Sequence, residues 1–154
     1  AGQTTTDDVR FDFAAPEILS LTPDTSSFDL KSARFPTHGG YEVSIAGNSF
    51  GTTAGAVTVA GAPATLVSQT HNLIVFTMPA GIGRDLRVVV KVGASSESHP
   101  FWVSYDPPRI DNINPYPADA EGETIEIMGA NFGAPGTSSR LQVVINDDNC
   151  TEAV

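Results

Sequence analysis

Apolar and polar residues alternate one by one along several short stretches of this chain. Leu86, Val88, Val90 and Val92 are interleaved with Arg87, Val89 and Lys91, and Tyr41, Val43 and Ile45 with Glu42, Ser44 and Ala46. An extended strand points successive side chains to opposite faces. The aliphatic sets are therefore predicted to face a core, and Arg87, Val89 and Lys91 to face out. No stretch carries the spacing of a good amphipathic helix. Within residues 16–106, seven segments read as strands: 18–23, 41–47, 56–60, 64–68, 73–77, 86–92 and 99–105. Gly39-Gly40, Gly47-Asn48, Gly61-Ala62-Pro63 and Pro79-Ala80-Gly81-Ile82-Gly83 lie between them, where turns need a positive or a fixed φ. The predicted fold class is all-β, with the strands packed as a sandwich.

The pattern repeats. Pro16-Glu17-Ile18-Leu19-Ser20-Leu21-Thr22-Pro23 returns 92 residues on as Pro108-Arg109-Ile110-Asp111-Asn112-Ile113-Asn114-Pro115, with prolines and apolar positions in step. Val9, Phe11 and Phe13 align at the same displacement with Phe101, Val103 and Tyr105. Gly40 to Gly51 matches Gly122 to Gly133 at a displacement of 82, so the first copy carries a ten-residue insert between Asp24 and Ala33. Val57 and Val59 match Val143 and Ile145 at 86. Self-similarity of this kind marks a repeat array. The expected organisation is the last strand of a preceding repeat (1–15), one complete repeat (16–106) and the first half of another (107–154).

Composition narrows the classes. Fourteen glycines and eleven prolines in 154 residues favour short strands joined by turns over long helices. The net charge of −10 is spread along the chain, and the eight basic residues never form a run, so nucleic acid and anionic membranes would be repelled. No apolar run approaches the roughly 20 residues that cross a bilayer, so no membrane insertion is expected in this segment. The first residue is Ala and no leader pattern follows, which leads us to expect numbering that begins inside a longer precursor.

Certain residues carry a closer likeness. Pro16-x-Ile18 with Pro23, Pro36-Thr37-x-Gly39-Gly40, Gly47-Asn48-x-Phe50-Gly51, Val57-x-Val59-x-Gly61-x-Pro63, Ile74-x-Phe76 with Pro79, and Gly81-x-Gly83 with Val88-x-Val90 resemble the IPT/TIG family of immunoglobulin-like domains. Seven strands is also the immunoglobulin number. Two departures stand out: the insert, and Ala64 where many members carry a cysteine. The resemblance implies a non-catalytic module, met in plexin-like and growth-factor-receptor ectodomains, in microbial surface proteins and in the dimerisation domain of Rel-type transcription factors. The acidic charge argues against that last branch, which accompanies a basic DNA-contacting neighbour. The link Tyr105-Asp106-Pro107-Pro108 argues for the surface-protein branch, because two prolines stiffen it.

Catalytic patterns are missing: His38, His71 and His99 lack metal-ligand spacing and no Gly-x-Ser-x-Gly elbow occurs. No enzymatic activity, cofactor or metal is expected. Asp147-Asp148-Asn149 and Asp7-Asp8 lack the spacing of a calcium loop and read as solvated turns. Asn149-Cys150-Thr151 is an N-glycosylation sequon, making Asn149 the glycosylation candidate. Thr4-Thr5-Thr6 and Ser95-Ser96 read as plain polar loops. Cys150, the single cysteine, is the disulfide candidate, since family members pair cysteines between neighbouring strands; a buried free thiol is the other reading. Trp102 alternates against Phe101 and Val103, so it is either exposed as a contact residue or lodged against the insert or a neighbouring domain. Phe28, Leu30 and Phe35, in and beside the insert, are the remaining contact candidates, because apolar residues in an extra loop must pack on something.

The expected function is that of a structural or adhesive repeat in an extracellular or cell-surface fibre, a glycoprotein acting through domain–domain contacts. Its partners would be neighbouring repeats of the same protein in a homopolymer or filament, with glycans as a second class. The alternative is a ligand-binding ectodomain of a receptor or adhesin. Strand donation, with residues 1–15 of one chain completing 107–154 of the next, would still lack a counterpart of residues 69–94.

Overall fold

The computed structural model of the chain describes residues 13–24, 34–53, 55–93, 96–118, 123–133, 142–145 and 148–149. The described residues are all-β. In the complete copy the strands are β1 (Glu17–Pro23), β2 (Arg34–Phe35), β3 (Glu42–Asn48), β4 (Gly55–Val59), β5 (Ala62–Gln69), β6 (Leu73–Thr77), β7 (Leu86–Val92), β8 (Ser96–Glu97) and β9 (Phe101–Tyr105). All seven predicted strands form.

Two layers run into one another. The first is β1-β3-β6-β5 and the second β5-β4-β7-β9-β2, with β8 added to β7. β5 belongs to both: Ala62, Pro63 and Ala64 pair with β4, whereas Thr65 to Gln69 pair with β6 across a register shift after Leu66. Pairing is antiparallel except where β2 runs parallel to β9, Arg34 against Ser104 and Phe35 against Tyr105.

The alternation predicted for β3 and β7 decides what fills the interior. Val43, Ile45, Ile74 and Phe76 from one layer meet Val57, Val59, Val88, Val90 and Val103 from the other, and Phe50 and Met78 join the same cluster from the loops. Each such side chain withdrawn from water contributes about 1.5–3 kcal/mol, before the opposing entropy of ordering the chain. Ser98 is a buried polar exception with a purpose. Its Oγ accepts the Val90 N–H at 3.0 Å and its own N–H donates to the Val90 carbonyl, so the Val90 backbone groups are satisfied beyond the end of the β9 ladder.

Turn chemistry differs from expectation at one hairpin. Pro63 was predicted to lie in a turn, but it sits in β5 opposite Thr58. The turn is the pair Ala60-Gly61, with φ of 52° and 84°. Positive φ at both central residues is the signature of a type I′ hairpin, the form whose twist suits two adjacent strands.

The second copy rebuilds the first. β10 (Arg109–Asn114) pairs with β11 (Glu126–Ala130) through Arg109↔Ala130 and Ile110↔Gly129, then shifts register before Asn112. β1 and β3 do the same through Glu17↔Asn48 and Ile18↔Gly47, shifting before Ser20. β12 (Val144–Ile145) meets β13 (Asp148–Asn149) as Ile145↔Asp148, the counterpart of Val59↔Ala62. Even the left-handed positions coincide, Ser49 and Gly51 with Asn131 and Gly133.

Candidate functional site

The outer face of the β4-β7-β9 layer carries a concavity. Trp102 stands between Phe101 and Val103 on β9; Val103 enters the core, and Trp102, on the opposite face, is 56% exposed. Its cross-strand neighbour is Arg87. Next to β7, the outward positions of β4 are the small residues Ala56 and Thr58, opposite Lys91 and Val89. Short side chains on one strand beside long ones on the next leave a hollow. It is an open trough of about 510 Å³ whose polar lining is Thr58, Asp85, Arg87, Lys91 and Glu97, with Trp102 as its aromatic member.

The lining groups are held but remain available. Lys91 Nζ lies 3.4 Å from Glu97 Oε1, both side chains about half exposed, an ion pair of small energetic value. The Asp85 N–H donates to Ser104 Oγ at 3.1 Å, which ties the start of β7 to β9. β7 lies between β4 and β9, and β4 pairs with β5 on its far side from Val57 to Val59, whereas β2 covers the far side of β9 only at Ser104 and Tyr105.

At the end of the sandwich near the link, two tyrosines close the core. The Tyr105 hydroxyl donates to the Pro79 carbonyl at 2.7 Å, and its ring packs where any Cβ on Gly81 would fall. Burial pushes its pKa up to about 12. Tyr41 donates to the Pro36 carbonyl at 3.0 Å; burial first, then the charges of Tyr105 and Asp106, raises its pKa as well.

The other sequence candidates are distributed differently. Phe35 is not a surface contact: it is 2% exposed, because β2 crosses to the second layer beside β9 and carries this ring into the core. Phe28, Leu30 and Cys150 lie outside the described residues. Asn149 is in β13, its backbone paired with Val144, at the position that Pro63 takes in the first copy. His38, His71 and His99 are exposed and far apart in sequence, His38 touching Tyr41 edge-on with ring centroids 5.4 Å apart. Among the described residues, no group of three or more His, Cys, Asp or Glu side chains could hold a metal ion. Sequence reasoning placed Arg87 and Lys91 outward but missed the trough, whose only sequence signal is the small pair Ala56 and Thr58 at outward positions of a strand.

Comparisons with known proteins bear on the family. The IPT/TIG domain model matches residues 16–103 and again residues 108–153. Similar solved structures include the Gamma-CGTASE of alkalophilic Bacillus clarkii, with 20% identity over 60% of this chain and 12% of that one, TM-score 0.47. The plexin A4 extracellular region, domains 1 to 10, shares 25% identity over 63% of this chain and 8% of its own, TM-score 0.41. SGBP-B, from a complex xyloglucan utilization locus in Bacteroides uniformis, shares 18% identity over 88% of this chain and 41% of its own, TM-score 0.41. The chain thus spans less than half the length of each of these structures. Comparison with curated proteins finds no match. With the family matched over both copies and the strand register duplicated between them, the chain belongs to the IPT/TIG family of immunoglobulin-like β-sandwich domains.

Proposed function

We propose that the chain is part of a tandem array of IPT/TIG modules on the outside of a cell, a non-catalytic structural or adhesive repeat that works through contacts between domain faces. The observation that carries this reading is the junction between the copies. β9 ends at Tyr105 and β10 begins at Arg109, so three residues separate one sandwich from the next. The near side is clamped: the Tyr105 N–H donates to the Gly83 carbonyl and the Asp106 N–H to the Phe35 carbonyl, both at 2.8 Å. Pro107 and Pro108 then fix φ twice in succession. A junction with so little slack favours a rod, and rods that meet head to tail extend into filaments. The family's occurrence in ectodomains and the sequon at Asn149 support the extracellular setting.

Electron microscopy of the native parent protein tests the proposal. Rods or filaments with an axial period of roughly 30–40 Å per repeat are expected, from the size of a 90-residue sandwich. Beads that sample all angles about their links would contradict it.

A further inference from the structure

We propose that the trough beside Trp102 is a binding site for an uncharged oligosaccharide. It is lined by β4, β7, β8 and β9, the β4–β5 turn and the end of the β6–β7 loop, all within residues 56–102, so it is a property of the single module and does not depend on the array.

The ligand class follows from the lining. A tryptophan more than half exposed offers a flat apolar face with negative quadrupole density, and the C–H face of a sugar ring is its complement. Around the edge of a sugar every hydroxyl both donates and accepts. The trough supplies donors in Arg87 and Lys91, acceptors in Asp85 and Glu97, and a group that does both in Thr58. Charge completes the argument. On a chain of net −10 this face is balanced, two cations against two anions, so it selects for no ionic ligand. The volume of about 510 Å³ falls in the range of small-molecule clefts, roughly 300–1,000 Å³, and the trough is open to solvent, so a sugar can enter it from outside.

Other occupants fit less well. A nucleic acid would stack on Trp102, but its phosphates need net positive charge, which this face lacks. A peptide adding itself as a strand needs a free sheet edge; β2 covers β9 only at Ser104 and Tyr105, but the trough lies over the face of β4 and β7, which have partners on both sides. A second protein seeks an apolar interface core depleted of charge, whereas four charged residues ring this hollow.

Trp102 is the single tryptophan of the chain, so its emission reports on the site directly. The 154-residue protein is titrated with neutral hexasaccharides (cellohexaose, maltohexaose and mannohexaose) and, for comparison, with hexagalacturonate and the chitosan hexamer. The expected result is a saturable blue shift with at least one neutral sugar and a weaker response, by tenfold or more, to both charged ones. By calorimetry, Trp102→Ala and Thr58→Arg, which fills the trough and leaves Trp102 in place, each lower the affinity for that sugar at least tenfold. Both positions face outward, so the unfolding midpoint should stay within a few degrees of the parent. The proposal is overturned by any of three results: no neutral sugar shifts the emission at millimolar concentration, Trp102→Ala binds as the parent does, or the emission shifts with protein concentration alone, which would mean that a second copy covers the face.

Discussion

Two glycines, Gly47 and Gly129, show how tightly single residues are constrained in both copies. A Cβ on Gly47 would collide with the Glu17 carbonyl oxygen and the Phe50 ring, and one on Gly129 with the Arg109 carbonyl oxygen and the Phe132 ring. The first strand of each copy lies against its glycine, and no other residue permits that approach. Gly47→Ala should therefore cost about 1–3 kcal/mol in denaturant unfolding, the usual range for overpacking. At the Ala60-Gly61 turn the sign reverses. Ala60 holds a φ of 52°, which Asn adopts more readily than Ala, so Ala60→Asn should stabilise the fold by about 0.5–1 kcal/mol. Tyr105 sets a pH dependence. A tyrosine kept neutral by burial stabilises the fold fully below its unfolded value of 10.0, and that contribution is lost as the pH climbs through about 12. Stability should fall over this window, and Tyr105→Phe should flatten the fall while lowering stability near neutral pH by about 1 kcal/mol for the lost hydrogen bond to Pro79.

Among the elements, β3 and β7 each place two fully buried side chains in the core, Val43 and Ile45 in one layer and Val88 and Val90 in the other. Ile45 and Val90 are fully buried on opposite layers, and truncation to Ala at Ile45 should cost about 2–5 kcal/mol with an unchanged denaturant slope. These strands were legible in the sequence because a two-residue period over seven residues has one structural meaning. β2 and β8 were not. Two residues carry no period, and each strand exists because a distant ladder, β9 or β7, offers it partners. The same non-local pairing explains Phe35. An apolar residue at the end of an insert reads as a surface contact until β2 is seen to cross between layers. Pro63 was misplaced because its ring suggests a turn, yet a proline is tolerated at the start of a strand. The trough was half visible: alternation put Arg87 and Lys91 outside, but their nearness to Thr58 and Trp102 depends on the order β4-β7-β9.

At the scale of the whole molecule, two layers joined through β5 make up the complete copy, and its opening strand pair is duplicated after the proline link. Replacing Pro107 and Pro108 with Gly should leave the unfolding midpoint of the complete copy nearly unchanged while broadening the distribution of angles between copies seen by microscopy of the array. The core claim has a sharper test in native-state amide exchange, followed residue by residue. If the sandwich is one unit, the paired amides of β3 and β6 in one layer and of β4 and β7 in the other should exchange through a single opening with a common free energy. Layers that open separately, with the amides of β7 exchanging freely while those of β3 stay protected, would contradict it.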